Sequence, residues 1–331
     1  LYSFTSYDGG TTWYGHIETY NISRTIPSGL GGGRGIFAGA DAPHKDEIDY
    51  ITISTPGNAT AFGVLIRPKS YLLQSCTTNG SRGIIGPGGT SGGPADNSLH
   101  MIEYITIATP GNSLNFGNIM EAGNGTAATT NGSRGIFAGG TFNPQFKCIQ
   151  YITIDTFCAS YSFGELTGTG RQRCSAVTDG HRGVFYGGGN GGSYDSTLTR
   201  TEYVSIATLG DAADFGTSNR DHAHGENNAS TEGGSRGVFF GGSPHTSNNK
   251  IDYLTIPTKG NASTFGTLAQ ARGYAAACSN GTRGVLGGGY SSPGPGSLNE
   301  ILYFTVATSG NGTDFGNLTN TRDTHGGLAG N

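Results

Sequence analysis

The side chains suited to chemistry are few and scattered. Asp221, His222 and His224 stand together in NRDHAHGEN. On an extended strand, alternation places the two histidines on one side, and neutral imidazoles bind zinc or copper. Asp323 and His325 near the end of the chain could join them along a shared channel. The plainer expectation is a polar channel lining that holds water. Residues 6–13, SYDGGTTW, place Asp8 where it can bond the amides of its own turn and Gly10 where it can take a positive φ. No pair of carboxylates set across a scissile bond, as glycoside hydrolysis needs, stands out. The glycine cluster GGGNGG at 187–192 lacks the Lys-Ser/Thr of a phosphate loop. No catalytic residue, metal site or cofactor is assigned.

Five cysteines are an odd count in a long chain, so this is not a disulfide scaffold. Cys148 and Cys158 flank one expected strand and should not pair. Cys76, Cys174 and Cys278 fall in equivalent strands and read as small buried thiols. Ten Asn-x-Ser/Thr sequons occur, including Asn58, Asn79, Asn131, Asn261, Asn280 and Asn311. Most fall at turns that use asparagine in any case.

The elements that must position these groups follow from composition and repetition. Sixty of 331 residues are glycine, and hydrophobic residues make up 34%. Glycine clusters between runs of Ile, Val, Phe and Tyr rather than at every third place, which excludes collagen. The formal charge of −4 with 13% charged residues argues against a nucleic-acid partner. No apolar run approaches the roughly 20 residues that span a bilayer, so membrane insertion is not expected. The chain begins at Leu1 and shows no signal-peptide pattern.

Arg-Gly followed by two apolar residues recurs at Arg34, Arg82, Arg134, Arg182, Arg236 and Arg283, at intervals of 48, 52, 48, 54 and 47 residues. Each copy is followed by an apolar segment centred on a tyrosine: Tyr50, Tyr104, Tyr151, Tyr203, Tyr253 and Tyr303. About twelve residues later comes Phe-Gly, at Phe62, Phe116, Phe163, Phe215, Phe265 and Phe315. A unit of about 50 residues with several short strands is the signature of a propeller blade. In the copy at 271–316, ARGYAAACS suits the crowded hub, RGVLGGG is the second strand, EILYFTVAT the third and TDFG the fourth. The third strand is apolar on both parities, as a strand covered on both faces should be. Between strands one and two lie Asn79-Gly80, Asn131-Gly132, Asp179-Gly180, Gly233-Gly234 and Asn280-Gly281, which suit a type I′ hairpin. The six arginines could form a ring that grips an anion. One copy per unit points instead to pairing with a neighbouring carboxylate or carbonyl.

The expected fold is all-β, a single propeller over 1–331. Blade units fall at about 25–70, 71–121, 122–168, 169–218, 219–270 and 271–319, with a seventh closed by 320–331 and 1–24. In that seventh blade TRDTHGGLAGN supplies the first strand, LYSF the second and HIETYNIS the third. Six blades plus an N-terminal appendage is the alternative.

The double glycine after strand two, the tyrosine of strand three and the aromatic of strand four resemble the kelch repeat over nearly the whole chain. Phenylalanine stands where kelch repeats usually carry tryptophan, and the sole tryptophan, Trp13, lies elsewhere. SYDGGTTW resembles the Asp-box turns of sialidase-like propellers, where the box is structural. The phrases NGSRGIFAGG, IDYLTIPTKGNASTFGTL and YFTVATSGNGTDFGNL resemble kelch-like arrays in virion proteins of tailed marine phages, of cyanophage type. That resemblance implies a particle component in a fibre, baseplate or decoration, within a larger symmetric assembly.

Strands alternate in direction, so turns one-to-two and three-to-four share one face, which should be flat and regular. The other face carries variable connections, among them TFNPQFK, GNGGSYDSTLTR, SPHTSNNK and YSSPGPGSLNE. Loops on a rigid scaffold commonly carry recognition. Phe146, Tyr194, Asp195, His245 and Tyr290 are the expected ligand-binding residues there, and the expected partners are other virion proteins or a host-surface glycan. The classes set against this are a secreted carbohydrate-binding propeller and, on weaker signals, a sialidase-like or metal-dependent enzyme.

Overall fold

The computed structural model describes residues 2–6, 13–17, 32–41, 45–89, 100–121, 123–140, 147–168, 170–171, 173–189, 198–219, 229–242, 248–292 and 294–331. Among them there is no helix. Six four-stranded antiparallel sheets form six blades. Blade 1 consists of Gly326–Gly330, Arg34–Ala40, Lys45–Thr52 and Thr60–Val64 from hub to rim. Blade 2 runs Cys76–Thr78, Arg82–Ile85, Met101–Thr106, Leu114–Asn118. Blade 3 runs Ala127–Thr130, Arg134–Ala138, Cys148–Thr153, Tyr161–Glu165. Blade 4 runs Ser175–Thr178, Arg182–Tyr186, Arg200–Ser205, Ala213–Thr217. Blade 5 runs Ala229–Gly233, Arg236–Phe240, Lys250–Thr255, Ser263–Thr267. Blade 6 runs Ala276–Ser279, Arg283–Gly287, Glu300–Thr305, Thr313–Asn317. Each hub strand touches those of the two flanking blades, and blade 6 meets blade 1, so the ring is closed.

The ring therefore has six blades, not seven. The C-terminal segment is a first strand, as its sequence suggests, but it belongs to blade 1. Leu328 lies opposite Ile36, and Gly326 opposite Ala38. Asn331 completes the turn across the chain break, its side chain accepting a hydrogen bond from the Gly33 amide. Tyr2–Ser6 pairs instead with Trp13–Ile17 in a separate two-stranded sheet, which matches the appendage alternative. The third-strand role of Tyr20 and the Asp8 and Gly10 turn fall outside the described residues.

Six hydrophobic clusters fill the six gaps between blades. Ile36, Ile48 and Phe62 of blade 1 pack with Ile85, Ile105 and Ile107 of blade 2, and each other gap repeats the pattern. The repeated motifs are devices for that packing. In every blade the strand-four phenylalanine occupies a β-bulge: Ile48 pairs with Gly63 and Asp49 with Ala61, so Phe62 has no opposite number. The bulged ring packs edge-on against the strand-three tyrosine, with Tyr50–Phe62 centroids 6.0 Å apart at 77°. The glycine after it makes room for the next blade. A Cβ on Gly63 would lie 2.1 Å from the Gly111 carbonyl oxygen. The Arg-Gly glycine does the same nearer the hub, where a Cβ on Gly237 would lie 2.6 Å from Val177.

The hairpin between strands one and two departs from the type I′ expectation. Only the glycine has positive φ, as at Gly80 (93°) and Gly132 (90°). The central pair is thus Gly-Ser rather than Asn-Gly, the φ pattern of a II′ turn. The asparagine instead caps the turn: Asn79 Oδ1 accepts from the Ser81 amide at 3.1 Å and the Arg82 amide at 2.7 Å.

Candidate functional site

The hub strands surround a channel cavity of about 60 Å3, lined by residues such as Thr78, Thr130, Thr178 and Ser279. That volume holds a few waters at most. The hydroxyls are committed to the turns: Thr78 Oγ1 donates to the Arg82 carbonyl and accepts from the Gly80 amide. Among the described residues the channel is narrow, with hydroxyls and small apolar side chains along its wall.

One end of this channel is more elaborate. On the variable face, each described connection from rim to hub has a residue in the left-handed region near the hub: Tyr71 (φ 53°, followed by Leu73 at 44°), Gly125 (65°), Arg173 (57°), Tyr274 (57°) and Thr324 (54°). This bend lets each connection hand a backbone hydrogen bond to a neighbour. Thr324 N donates to Tyr274 O at 2.8 Å, Gly125 N to Tyr71 O at 3.1 Å, and Arg173 N to Gly125 O at 2.8 Å. Glycine takes this conformation freely, whereas other residues are strained by about 1–2 kcal/mol. Tyr71, Arg173, Tyr274 and Thr324 are therefore held around the mouth against their own backbone preference. Strained positions of this kind concentrate at functional sites.

The side chains there form a mixed aromatic and charged rim. The Arg173 guanidinium lies 5.8 Å from the Tyr71 ring centroid. The Tyr71 hydroxyl donates to Asp41; burial, then the Asp41 charge, pushes its pKa up. The Asp41 amide donates to the Asp323 carbonyl at 3.2 Å. Burial raises the Asp323 carboxyl, opposed by a hydrogen bond from the Ser297 hydroxyl. Tyr290 belongs to a short hairpin, Tyr290–Ser291 with Gly296–Ser297, and meets Tyr274 edge-on at 6.4 Å. Such a rim can stack against and hydrogen-bond a ligand.

Of the residues expected to bind ligand, Tyr290 is therefore at the rim of the channel. Phe146, Tyr194, Asp195 and His245 lie outside the described residues, as do Asp221, His222 and His224. His325 does not face the channel with Asp323. It is wholly buried, with its ring 5.9 Å from that of Phe37. Burial, then the Arg322 charge, holds its pKa well below 6.5. Among the described residues no group of three His, Cys, Asp or Glu is placed to hold a metal. All five cysteines are free. Cys76, Cys174 and Cys278 are buried, and burial pushes the Cys76 thiol up to about 12 and that of Cys174 to about 11.

The Arg-Gly arginines are not an anion grip. Each donates to a backbone carbonyl at the end of the next blade's third strand: Arg34 to Ile107 at 2.6 Å, Arg82 to Ile154 at 2.6 Å, Arg134 to Ile206 at 2.8 Å, and so around to Arg283, which reaches Ile53 at 2.9 Å. Each guanidinium also covers its own blade's tyrosine, as Arg236 does with Tyr253 at 4.2 Å.

A second set of cations escaped the sequence reading. Lys69, Arg171 and Arg322, all fully buried, pair with Glu103 (2.9 Å), Glu202 (2.6 Å) and Asp49 (3.0 Å). Arg272 pairs with Glu300. Each cation sits in a connection and locks it to the blade it enters. The available signal was the acidic residue preceding the motif tyrosine at Asp49, Glu103 and Glu202; Glu300 stands three residues before Tyr303 instead. The rim residues Tyr71, Arg173 and Tyr274 were also missed. Neither a protein-family model nor a curated protein sequence matches the chain.

Proposed function

We propose that this protein is a non-enzymatic structural or adhesion component of a virus particle, such as a phage tail fibre, baseplate or decoration. It uses the variable face of the propeller to bind a partner protein or a surface glycan. The observation that carries the binding role is the strained rim of Tyr71, Arg173 and Tyr274, joined by Tyr290, at the centre of the variable face. The virion assignment draws its support from the phage-like repeat phrases and from a nearly neutral, repetitive scaffold of the kind arrayed in particles.

Electron microscopy of the material in its native source tests the assignment. Regular copies on a tail or capsid are the expected result, with the variable face toward a neighbour or outward. Free single discs that bind glycans would replace it with the secreted carbohydrate-binding reading. At the residue level, Tyr71→Ala combined with Tyr274→Ala is expected to weaken partner binding at least tenfold. Unaltered binding in that variant would remove the rim from the argument.

A further inference from the structure

The flat face also carries clefts. One, of about 370 Å3, is lined by Tyr303, Thr305, Thr308 and Asn311 of blade 6 among others. A second, of about 340 Å3, is lined by Tyr104, Thr106, Thr109 and Asn112 of blade 2. These are the same four repeat positions in two blades. Both are open clefts on the surface.

The repeat itself makes this telling. Counting from the strand-three tyrosine, the second residue on is Thr52, Thr106, Thr153, Ser205, Thr255 or Thr305. The fifth residue on is threonine in all six copies: Thr55, Thr109, Thr156, Thr208, Thr258 and Thr308. All twelve are exposed. None of their hydroxyls has a hydrogen-bond partner among the described residues, although many other side-chain hydroxyls do. The sixth residue on drifts freely, as Pro56, Pro110, Phe157, Leu209, Lys259 and Ser309. Turn closure uses the backbone of the fifth residue, as in Thr109 N to Thr106 O at 3.2 Å, and does not require its hydroxyl. The fold thus repeats, six times, a hydroxyl pair beside a half-buried tyrosine that its own packing leaves unused.

No charged side chain lines either cleft. The nearby Arg82 and Arg283 are spent on the carbonyls of Ile154 and Ile53. Guanidinium groups cover one face of the two tyrosine rings (Arg82 at 5.1 Å from Tyr104, Arg283 at 4.4 Å from Tyr303), and Asn112 and Asn311 Oδ1 accept from Val64 and Thr267 of the neighbouring blades. What remains open is an uncharged set of threonine hydroxyls, which match the hydroxyls of a neutral sugar. From this we infer that the flat face is a multivalent surface for a neutral polysaccharide, one weak site per blade. Individually weak contacts that a repeating polymer can engage together give avidity well above that of one site. This inference is independent of the variable-face reading, and the two faces can be tested apart.

The test is affinity electrophoresis of the full chain through gels containing dextran, mannan, a mixed-linkage β-glucan or a neutral galactan. Retardation by at least one polymer is expected, with far weaker binding of its monosaccharide. The variant T106V/T109V/T305V/T308V should lose at least tenfold in apparent affinity at an unchanged melting temperature. Should that variant not fold, T109V and T308V are measured singly, each expected to remove one saccharide equivalent at saturation. The inference is overturned if no polymer retards the protein. It is equally overturned if the threonine variants bind like the parent, or if Tyr71→Ala on the opposite face abolishes the retardation.

Discussion

The arginine of each Arg-Gly pair combines two contacts across one blade gap, a hydrogen bond to the next blade and coverage of a tyrosine ring. Arg134→Ala removes the bond to the Ile206 carbonyl and the contact with Tyr151 at 4.5 Å. Chemical denaturation should show a loss of about 1–3 kcal/mol, whereas an unchanged midpoint would mean that water replaces the guanidinium without cost. Gly63→Ala acts differently, because the added methyl meets the Gly111 backbone rather than a movable side chain. A loss of about 2–4 kcal/mol is expected there. His325 sets a pH dependence. Its imidazole stays neutral in the fold because burial and then Arg322 oppose protonation, while the unfolded chain takes up a proton below about 6.5. Stability must fall as the pH drops through that value. The melting temperature of the parent should therefore decline more steeply between about pH 7 and pH 5 than that of His325→Leu, and parallel slopes would refute the assignment.

At the scale of elements, the connections are pinned by buried ion pairs rather than by apolar contacts alone. Lys69 donates to the Gly86 and Met101 carbonyls as well as to Glu103. It thereby fastens the blade 1-to-2 connection to blade 2. Removing one partner leaves a buried charge unpaired, at a cost of about 3–5 kcal/mol, while replacing both by apolar groups can be close to neutral. Glu103→Leu should thus be far more damaging than Glu103→Leu with Lys69→Met, as read by urea midpoints. The same contrast shows what could be read from the chain in advance. Arg-Gly, the tyrosine segment and Phe-Gly marked the strands because packing between blades demands the same residue types in every copy. The cations were hidden because connection lengths differ and blade 3 substitutes a neutral pair, with Gln150 accepting from Ser160 and from the Glu121 amide. The rim was hidden for another reason. Nothing local in Tyr71 or Arg173 signals a left-handed backbone; only the surrounding ring of hydrogen bonds imposes it.

At the scale of the whole molecule, the six-blade count turns on one choice of partner. The sequence GGLAGN has the small residues of a hub strand, and Gly326–Gly330 takes the hub position beside Arg34–Ala40. Composition alone could not decide whether the terminal segment completes that blade or starts another with LYSF. Burial decides it, since Leu328 packs with Ile36 and Cys76 in the gap between blades 1 and 2. In calorimetry the parent is expected to show one cooperative melt. Deleting 326–331 should abolish that melt, because blade 1 loses its hub strand and the ring its closure.

The same arrangement sets the order of events during synthesis. Blades 2 to 6 are each built from one continuous stretch of chain, so each can assemble soon after leaving the ribosome. The innermost strand of the first blade is the last of all the ring strands to be made. Until it arrives, Arg34–Ala40 waits with an unpaired edge while blades 2 to 6 are made. A factor that shields that edge on the nascent chain would raise the yield of folded protein without touching the finished structure.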